Sequence, residues 1–140
     1  RRSDWTVPAD RMKRGVEHRV PLSDEALAVL EKVRGLDERY VFPSVQRGKD
    51  GTARPQSEMV FKSLLNRMGR DGFTVHGFRS SFRDWCGETG EDRDLAELAL
   101  SHAVGNNVER AYARSDLFDR RRGLMNRWAD FCAGKGSAQR

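Results

Sequence analysis

The sequence has no long hydrophobic run and no opening segment in which basic residues precede an apolar stretch. Its apolar runs are only a few residues long, whereas a membrane-spanning helix needs about 18 or more apolar residues in succession. We therefore expect neither a membrane protein nor a secreted one.

Cysteine is scarce as well, because Cys86 and Cys132 are the only two. They form no CxxC pair and no regular framework, which indicates reduced thiols in a cytosolic compartment and predicts no metal site.

The chain also lacks internal repeats and is short enough for a single hydrophobic core. Its 140 residues are 37% hydrophobic, and the 13 glycines bring it into the usual globular range. We expect one domain with a buried core.

Lysine is rare among the cations. Of 26 basic residues, 21 are arginine, against 21 acidic residues and a net charge of +5. Arginine presents a planar fork of donors that grips phosphate through two hydrogen bonds, which favours a phosphate-rich partner. A solvated surface laced with ion pairs is the alternative, and composition leaves both open.

The spacing of apolar residues predicts a mainly helical chain with a small antiparallel sheet near its start. Strands at Trp5–Val7 and Val16–Leu22 would form a hairpin around a basic connection, and Tyr40–Val41–Phe42–Pro43 would be a short extended piece. A loop is predicted from Gln46 to Gln56. Helices are predicted after the cap Ser23 up to Gly35, from Ser57 to Met68, from Val75 to the break at Gly87–Gly90, around Leu95–Ala99, around Val108–Tyr112, and from about Asp116 through Phe131.

The last of these helices has an apolar stripe and a basic segment. Leu117, Leu124, Trp128 and Phe131 are expected to face inward. The run Arg120–Arg121–Arg122 is expected to form a solvated face.

Several polar residues could carry chemistry, yet each has an ordinary structural explanation. His76 and Arg79 are three apart and would share a face of one helical turn, where they could bind an anion or simply cap the helix. His102 follows Leu100–Ser101 at a predicted helix end, a place that the helix dipole favours for histidine. Tyr112 continues an apolar stripe, and Lys13 would be an exposed lysine at the hairpin tip.

The ordered set is more specific than any member of it. Six segments recur together in one known family: Trp5–Lys13 (WTVPADRMK), His18–Ser23 (HRVPLS), Tyr40–Ser44 (YVFPS), Phe73–Trp85 (FTVHGFRSSFRDW), Leu100–Tyr112 (LSHAVGNNVERAY) and Asp116–Phe131 (DLFDRRRGLMNRWADF). In this order they resemble the C-terminal catalytic domain of the tyrosine recombinases, most closely the integrases of prophages and genomic islands. The resemblance covers nearly the whole chain.

The resemblance implies site-specific DNA recombination, the integration and excision of a prophage or genomic island, through a covalent 3′-phosphotyrosyl intermediate with no metal and no cofactor. Tyr112 would be the nucleophile, Arg79 would hold the scissile phosphate, and His76 and His102 would donate to its oxygens. His76 could also accept the tyrosine proton, and Lys13 would protonate the leaving 5′-oxygen.

The implied partners are double-stranded DNA attachment sites, a homo-tetramer of the full-length protein on DNA, and accessory DNA-bending proteins, with no membrane contact. The implied location is the bacterial cytoplasm, associated with the nucleoid. The catalytic domain would span residues 1–133, and residues 134–140 would be a disordered tail.

One feature of the family is absent. Its first catalytic arginine, usually in a Gly-x-Arg-x-x-Glu segment, would lie upstream of Trp5, and Arg1 and Arg2 have no such context. We therefore expect an N-terminally truncated catalytic domain that is weak or inactive alone, with an exposed hydrophobic face that favours self-association.

Two further interpretations stay open. The chain could be a catalytically inactive DNA-binding remnant of an integrase, although the intact set of five residues argues against decay. A type IB topoisomerase shares the chemistry but not the quoted segments.

Overall fold

The computed structural model describes residues 4–104 and 116–135. Within these ranges the chain forms two strands and five helices, so the predicted mainly helical fold with a small antiparallel sheet is confirmed. The predicted helix around Val108–Tyr112 lies outside the described residues. The chain divides into two compact units, Arg1–Leu27 with Ser81–Arg140, and Ala28–Ser80. The assignment of residues 1–133 to one domain stays a prediction.

The predicted hairpin forms in the first unit. Strand β1 (Asp4–Val7) pairs antiparallel with β2 (His18–Pro21), with Trp5 opposite Val20. A 3₁₀ turn at Ala9–Arg11 follows β1, and Gly15 adopts a φ of +64°, which a glycine tolerates without strain. The basic connection therefore folds back tightly before β2 begins.

The cap predicted from the sequence opens the first helix, whereas the second helix starts without a side-chain cap. Helix α1 (Asp24–Lys32) begins after Ser23, whose Oγ accepts a hydrogen bond from the Ala26 amide at 3.2 Å. Helix α2 (Val60–Arg67) begins three residues later than predicted because the Ser57 hydroxyl instead closes a turn with the Met59 amide. Of the predicted extended piece, Pro43 alone pairs, in an isolated bridge with Pro55.

The core lies in the first unit and is built by three helices, α3 (Gly77–Glu88), α4 (Arg93–Ala99) and α5 (Phe118–Cys132). Its buried members are Phe82, Trp85, Cys86, Leu95, Ala96, Leu100 and Leu124. Phe82 meets Trp128 of α5 edge to face, with ring centroids 5.4 Å apart. The predicted inward positions Leu124 and Trp128 thus pack as expected, whereas Phe131 remains 54% exposed while its ring contacts Trp85.

The second unit has little interior of its own. None of residues 28–80, all of which the structure describes, is buried, and the apolar residues of α2 and the following turn are largely exposed, including Phe61, Met68 and Phe73. The apolar spacing correctly predicted a helix here, but the helix has no covered face within this unit.

Candidate active site

Lys13 lies in the folded-back connection of the hairpin. Its side chain is exposed, and the Gly15 amide donates to the Met12 carbonyl at 2.9 Å to close the turn around it. The connection has the predicted basic character, with Arg11 and Arg14 on either side of Met12 and Lys13.

His76 and Arg79 lie in the second unit at the start of α3. His76 is in the turn that precedes the helix, Arg79 is in its first turn, and both are exposed. The Thr74 hydroxyl accepts from the Gly77 amide at 3.0 Å, so threonine, and not His76, caps this helix. The capping explanation for His76 therefore fails, and the pair presents two basic groups one turn apart.

His102 is held at the end of α4 by a Schellman motif. The His102 amide donates to the Glu97 carbonyl at 2.8 Å, and the Ser101 amide donates to the Leu98 carbonyl at 3.1 Å. Ser101 adopts a φ of +58°, the left-handed conformation that this motif requires and that usually belongs to glycine. The backbone thus fixes His102 directly beyond a strained residue.

Replacing Ser101 with Gly is expected to raise the free energy of unfolding by about 0.5–1 kcal/mol, because glycine adopts the left-handed conformation without a Cβ clash. Thermal and denaturant unfolding measure the change. Ser101→Ala is the control, since it keeps the Cβ atom and should not stabilise the protein. Equal stability of the glycine and alanine variants would contradict the argument from strain.

Glu97 lies behind the His102 ring. Its Oε2 is 2.6 Å from Nδ1 of His102, and its Oε1 is 2.9 Å from Nη2 of Arg83 in α3. The hydrogen bond with His102 is the main cause that lowers the pKa of Glu97; partial burial opposes it, and the charge of Arg83 adds to the lowering. Because an ionised carboxylate only accepts hydrogen bonds, Nδ1 of His102 is the donor.

A pocket of about 230 Å³ in the first unit joins His102 to the hairpin. Its lining includes Arg14, His18 and Arg19 from the hairpin side, Ser101 and His102 from the end of α4, and Arg121 from α5. The lining carries three arginines and two carboxylates, Glu17 and Asp116. The first unit therefore brings His102 together with the hairpin segment directly after Lys13.

Arg121 corrects the prediction that Arg120–Arg122 form a solvated face. Its side chain is only 2% exposed, whereas that of Arg120 is 59% exposed and pairs with Asp92. Arg121 donates to the Arg19 carbonyl at 2.7 Å, to the Asp116 carbonyl at 2.7 Å and to the Asp116 carboxylate at 2.9 Å. A signal was present in the sequence, because position 121 continues the helical spacing of the inward stripe through Leu117, Leu124 and Trp128.

The two thiols are free, and the buried one is unreactive. Burial is the main cause that raises the pKa of Cys86 to about 11, so this thiol stays protonated at neutral pH.

Across residues 4–104 and 116–135, no three His, Cys, Asp or Glu side chains are grouped to hold a metal ion. No helix in the same ranges is long and apolar enough to cross a membrane.

Of the five predicted site residues, four are in the described part of the chain. Lys13 and His102 belong to the first unit, and His76 and Arg79 belong to the second. Tyr112 lies outside the described residues. Sequence reasoning missed Glu97, which contacts His102, and the burial of Arg121, which binds the Arg19 carbonyl of the hairpin.

Comparison with known proteins matches the chain to the phage integrase family over residues 1–117. The prophage integrase IntA of Escherichia coli K12 is 42% identical over 131 residues, covering 91% of this chain and 31% of IntA. The integrase of Enterobacteria phage P4 is 36% identical, covering 93% of this chain and 33% of that protein. The integrase of Shigella phage Sf6 is 30% identical, covering 90% and 33%. No solved structure gives a significant match.

The chain therefore belongs to the phage integrase family, the tyrosine recombinases. It spans about a third of the length of the curated relatives it matches.

Proposed function

We propose that this chain carries the strand-cleaving residues of a site-specific DNA recombinase that integrates and excises a prophage or genomic island. The observation that carries the proposal is the family match over residues 1–117, which includes Lys13, His76, Arg79, His102 and Tyr112 in order. The matched relatives are themselves named integrases. Residues 1–133 would form the catalytic domain.

The proposed reaction exchanges one phosphodiester for another. The Tyr112 oxygen attacks the scissile phosphorus, the bond from phosphorus to the 5′-oxygen breaks, and a 3′-phosphotyrosyl link forms. His76 takes the phenol proton, and Lys13 gives a proton to the leaving 5′-oxygen. Attack by a new 5′-hydroxyl then reverses these transfers and releases Tyr112. No metal or cofactor takes part, because the covalent link conserves the phosphodiester bond energy.

Arg79 and His102 would stabilise the charge that develops on the phosphate. Arg79 would grip the non-bridging oxygens through its planar fork. His102 would donate to the same oxygens, held in place by the backbone of the α4 end and by Glu97. The exposed basic connection with Lys13 is suited to binding DNA, since Lys and Arg neutralise phosphates and release their counterions.

The wider assembly is part of the proposal. The partners are double-stranded DNA attachment sites, a homo-tetramer on DNA, and accessory DNA-bending proteins. The reaction would take place at the nucleoid in the bacterial cytoplasm.

Covalent trapping tests the reaction. The full-length product of the gene that encodes this chain is incubated with a nicked DNA duplex that traps the cleaved strand, with the 140-residue chain in parallel. Mass spectrometry then locates the adduct. We expect an adduct on Tyr112 in the full-length protein and little or none in the chain alone. An adduct on any other residue, or none in either protein, would overturn the proposal.

The inactive DNA-binding remnant makes a different prediction for the same experiment. It would bind DNA in a salt-sensitive way and form no adduct. A type IB topoisomerase would relax supercoiled DNA without exchanging strands between sites.

DNA affinity is expected to fall steeply with salt, because each phosphate contact by arginine or lysine releases a counterion. With six or more such contacts, the affinity should drop about 10³-fold or more between 50 and 200 mM salt. Fluorescence anisotropy over this range measures the slope. A nearly flat slope would show that phosphate contacts contribute little.

A further inference from the structure

The carboxylate of Glu97, which no sequence motif indicated, contacts the ring of His102, one of the proposed site residues. Glu97 is in the last turn of α4, and its side chain is 14% exposed, whereas that of His102 is 44% exposed. The carboxylate contacts Nδ1 of the ring and is much less exposed than the histidine side chain.

We propose that Glu97 is a positioning residue, which holds the Nδ1–H of His102 and so makes Nε2 the ring nitrogen that meets the scissile phosphate. The inference rests on the proposed function and adds a residue to its machinery. The two ring nitrogens of histidine are distinct, and the partner of one decides the role of the other. A carboxylate at Nδ1 orients the ring and stabilises an imidazolium, whose Nε2–H donates outward to an anion.

Two hydrogen bonds connect Glu97 and His102, one through the backbone and one through the side chains. The His102 amide donates to the Glu97 carbonyl at 2.8 Å, and the His102 ring meets the Glu97 carboxylate at 2.6 Å. The backbone bond sets the position of the His102 Cα, and the side-chain bond then selects the ring orientation. Together they remove rotational freedom that the ring would otherwise lose when DNA binds.

Arg83 holds the carboxylate from its other side. Its guanidinium in α3 lies 2.9 Å from the second oxygen of Glu97. Because each carboxylate oxygen has its own partner, the plane of the carboxylate is defined. A purely structural role for Glu97, in which it only connects α3 to α4 through Arg83, is the competing explanation.

The cleavage rate of full-length protein on nicked DNA separates the two roles. Glu97→Gln is expected to slow formation of the covalent complex by about 10- to 100-fold, with little change in the DNA dissociation constant. In a His102→Ala background the same substitution should have no further effect, because Glu97 would act through His102. Arg83→Ala should reduce the rate by much less than Glu97→Gln.

Glu91→Gln is the matched control. Glu91 is also 14% exposed and forms two hydrogen bonds of 2.6 Å with Arg127 in the same unit. Its loss should leave the cleavage rate within about twofold of the parent, since it does not contact His102. An equal rate loss in the Glu91 and Glu97 variants, or full additivity of Glu97→Gln with His102→Ala, would overturn the proposal.

A spectroscopic measurement decides the positioning role independently of cleavage. In full-length protein with ¹⁵N-labelled histidine, the His102 signals are assigned by their loss in His102→Ala. We expect the Nδ1 signal to show a protonated nitrogen and to move in Glu97→Gln but not in Glu91→Gln. An unchanged Nδ1 signal in Glu97→Gln overturns the positioning role, even if DNA is cleaved. If the Nδ1 signal moves in Glu97→Gln but the parent protein never forms an adduct, the contact between Glu97 and His102 is supported and the proposed reaction is refuted.

Discussion

The Tyr112→Phe variant of the full-length protein is expected to form no covalent DNA adduct while binding DNA with nearly unchanged affinity. Phenylalanine keeps the ring and loses only the oxygen that would bond to phosphorus. A phenol is a weak nucleophile at neutral pH, since its pKa is about 10, and the proposed site compensates by stabilising charge on the phosphate. Phenylalanine has no oxygen to attack the phosphorus, so no charge develops on the phosphate for the site to stabilise.

DNA binding should survive because many phosphate contacts share the affinity, and one hydroxyl contributes little to their sum. Gel analysis of the trapped complex and anisotropy of the free one measure the two quantities side by side.

Tyr40→Phe is the matched control, because Tyr40 is the other tyrosine of this chain. It lies in the second unit beside Arg39, whose guanidinium is 5.4 Å from the ring centroid. Adduct formation should continue in this variant. Capture that persists in Tyr112→Phe, or disappears in Tyr40→Phe, would end the assignment of Tyr112 as nucleophile.

The Arg121→Ala variant is expected to lose about 3 kcal/mol of unfolding free energy. The substitution removes a buried side chain and leaves the Arg19 carbonyl and the Asp116 backbone and carboxylate oxygens without their donor. The loss stays below that of a fully buried ion pair because the Asp116 side chain is 42% exposed and can bind water. For a chain of this size the change corresponds to about 10 °C in Tm.

Arg120→Ala provides the comparison within the same helix. Arg120 forms a 2.9 Å ion pair with Asp92, but both side chains are well exposed, so its loss should cost less than about 1 kcal/mol. Arg121→Lys should fall between the two, because one ammonium group cannot reach all three acceptors. Equal stabilities of Arg120→Ala and Arg121→Ala would show that the buried contacts contribute nothing.

Local signals predicted most of the secondary structure well. Ser23 caps α1 as expected, and the hairpin pairs β1 with β2. Less was predictable at element starts, where a side chain can choose between two backbone partners. The Ser57 hydroxyl closes a turn instead of opening a helix, so α2 starts at Val60.

The residues of the candidate site were likewise only partly predictable from the sequence. His76, Arg79, His102, Lys13 and Tyr112 were found as an ordered set along the chain, and membership of the phage integrase family is confirmed by comparison. The sequence did not indicate Glu97, because nothing in the local pattern of α4 distinguishes it from other glutamates on a helix. Its contact with His102 depends on the left-handed Ser101, which turns the chain so that the His102 ring meets the carboxylate.

The sequence by itself determined the helical class, the hairpin, the family and the candidate residues, since periodicity, caps and motifs are properties of neighbours along the chain. Only the tertiary structure decided which charges are buried. Arg120 and Arg121 are adjacent and chemically identical, yet one faces solvent and the other binds a strand carbonyl 102 positions away. The reason is physical: burial of a charge depends on which acceptors other elements bring to it, and their approach is set by packing across the whole unit.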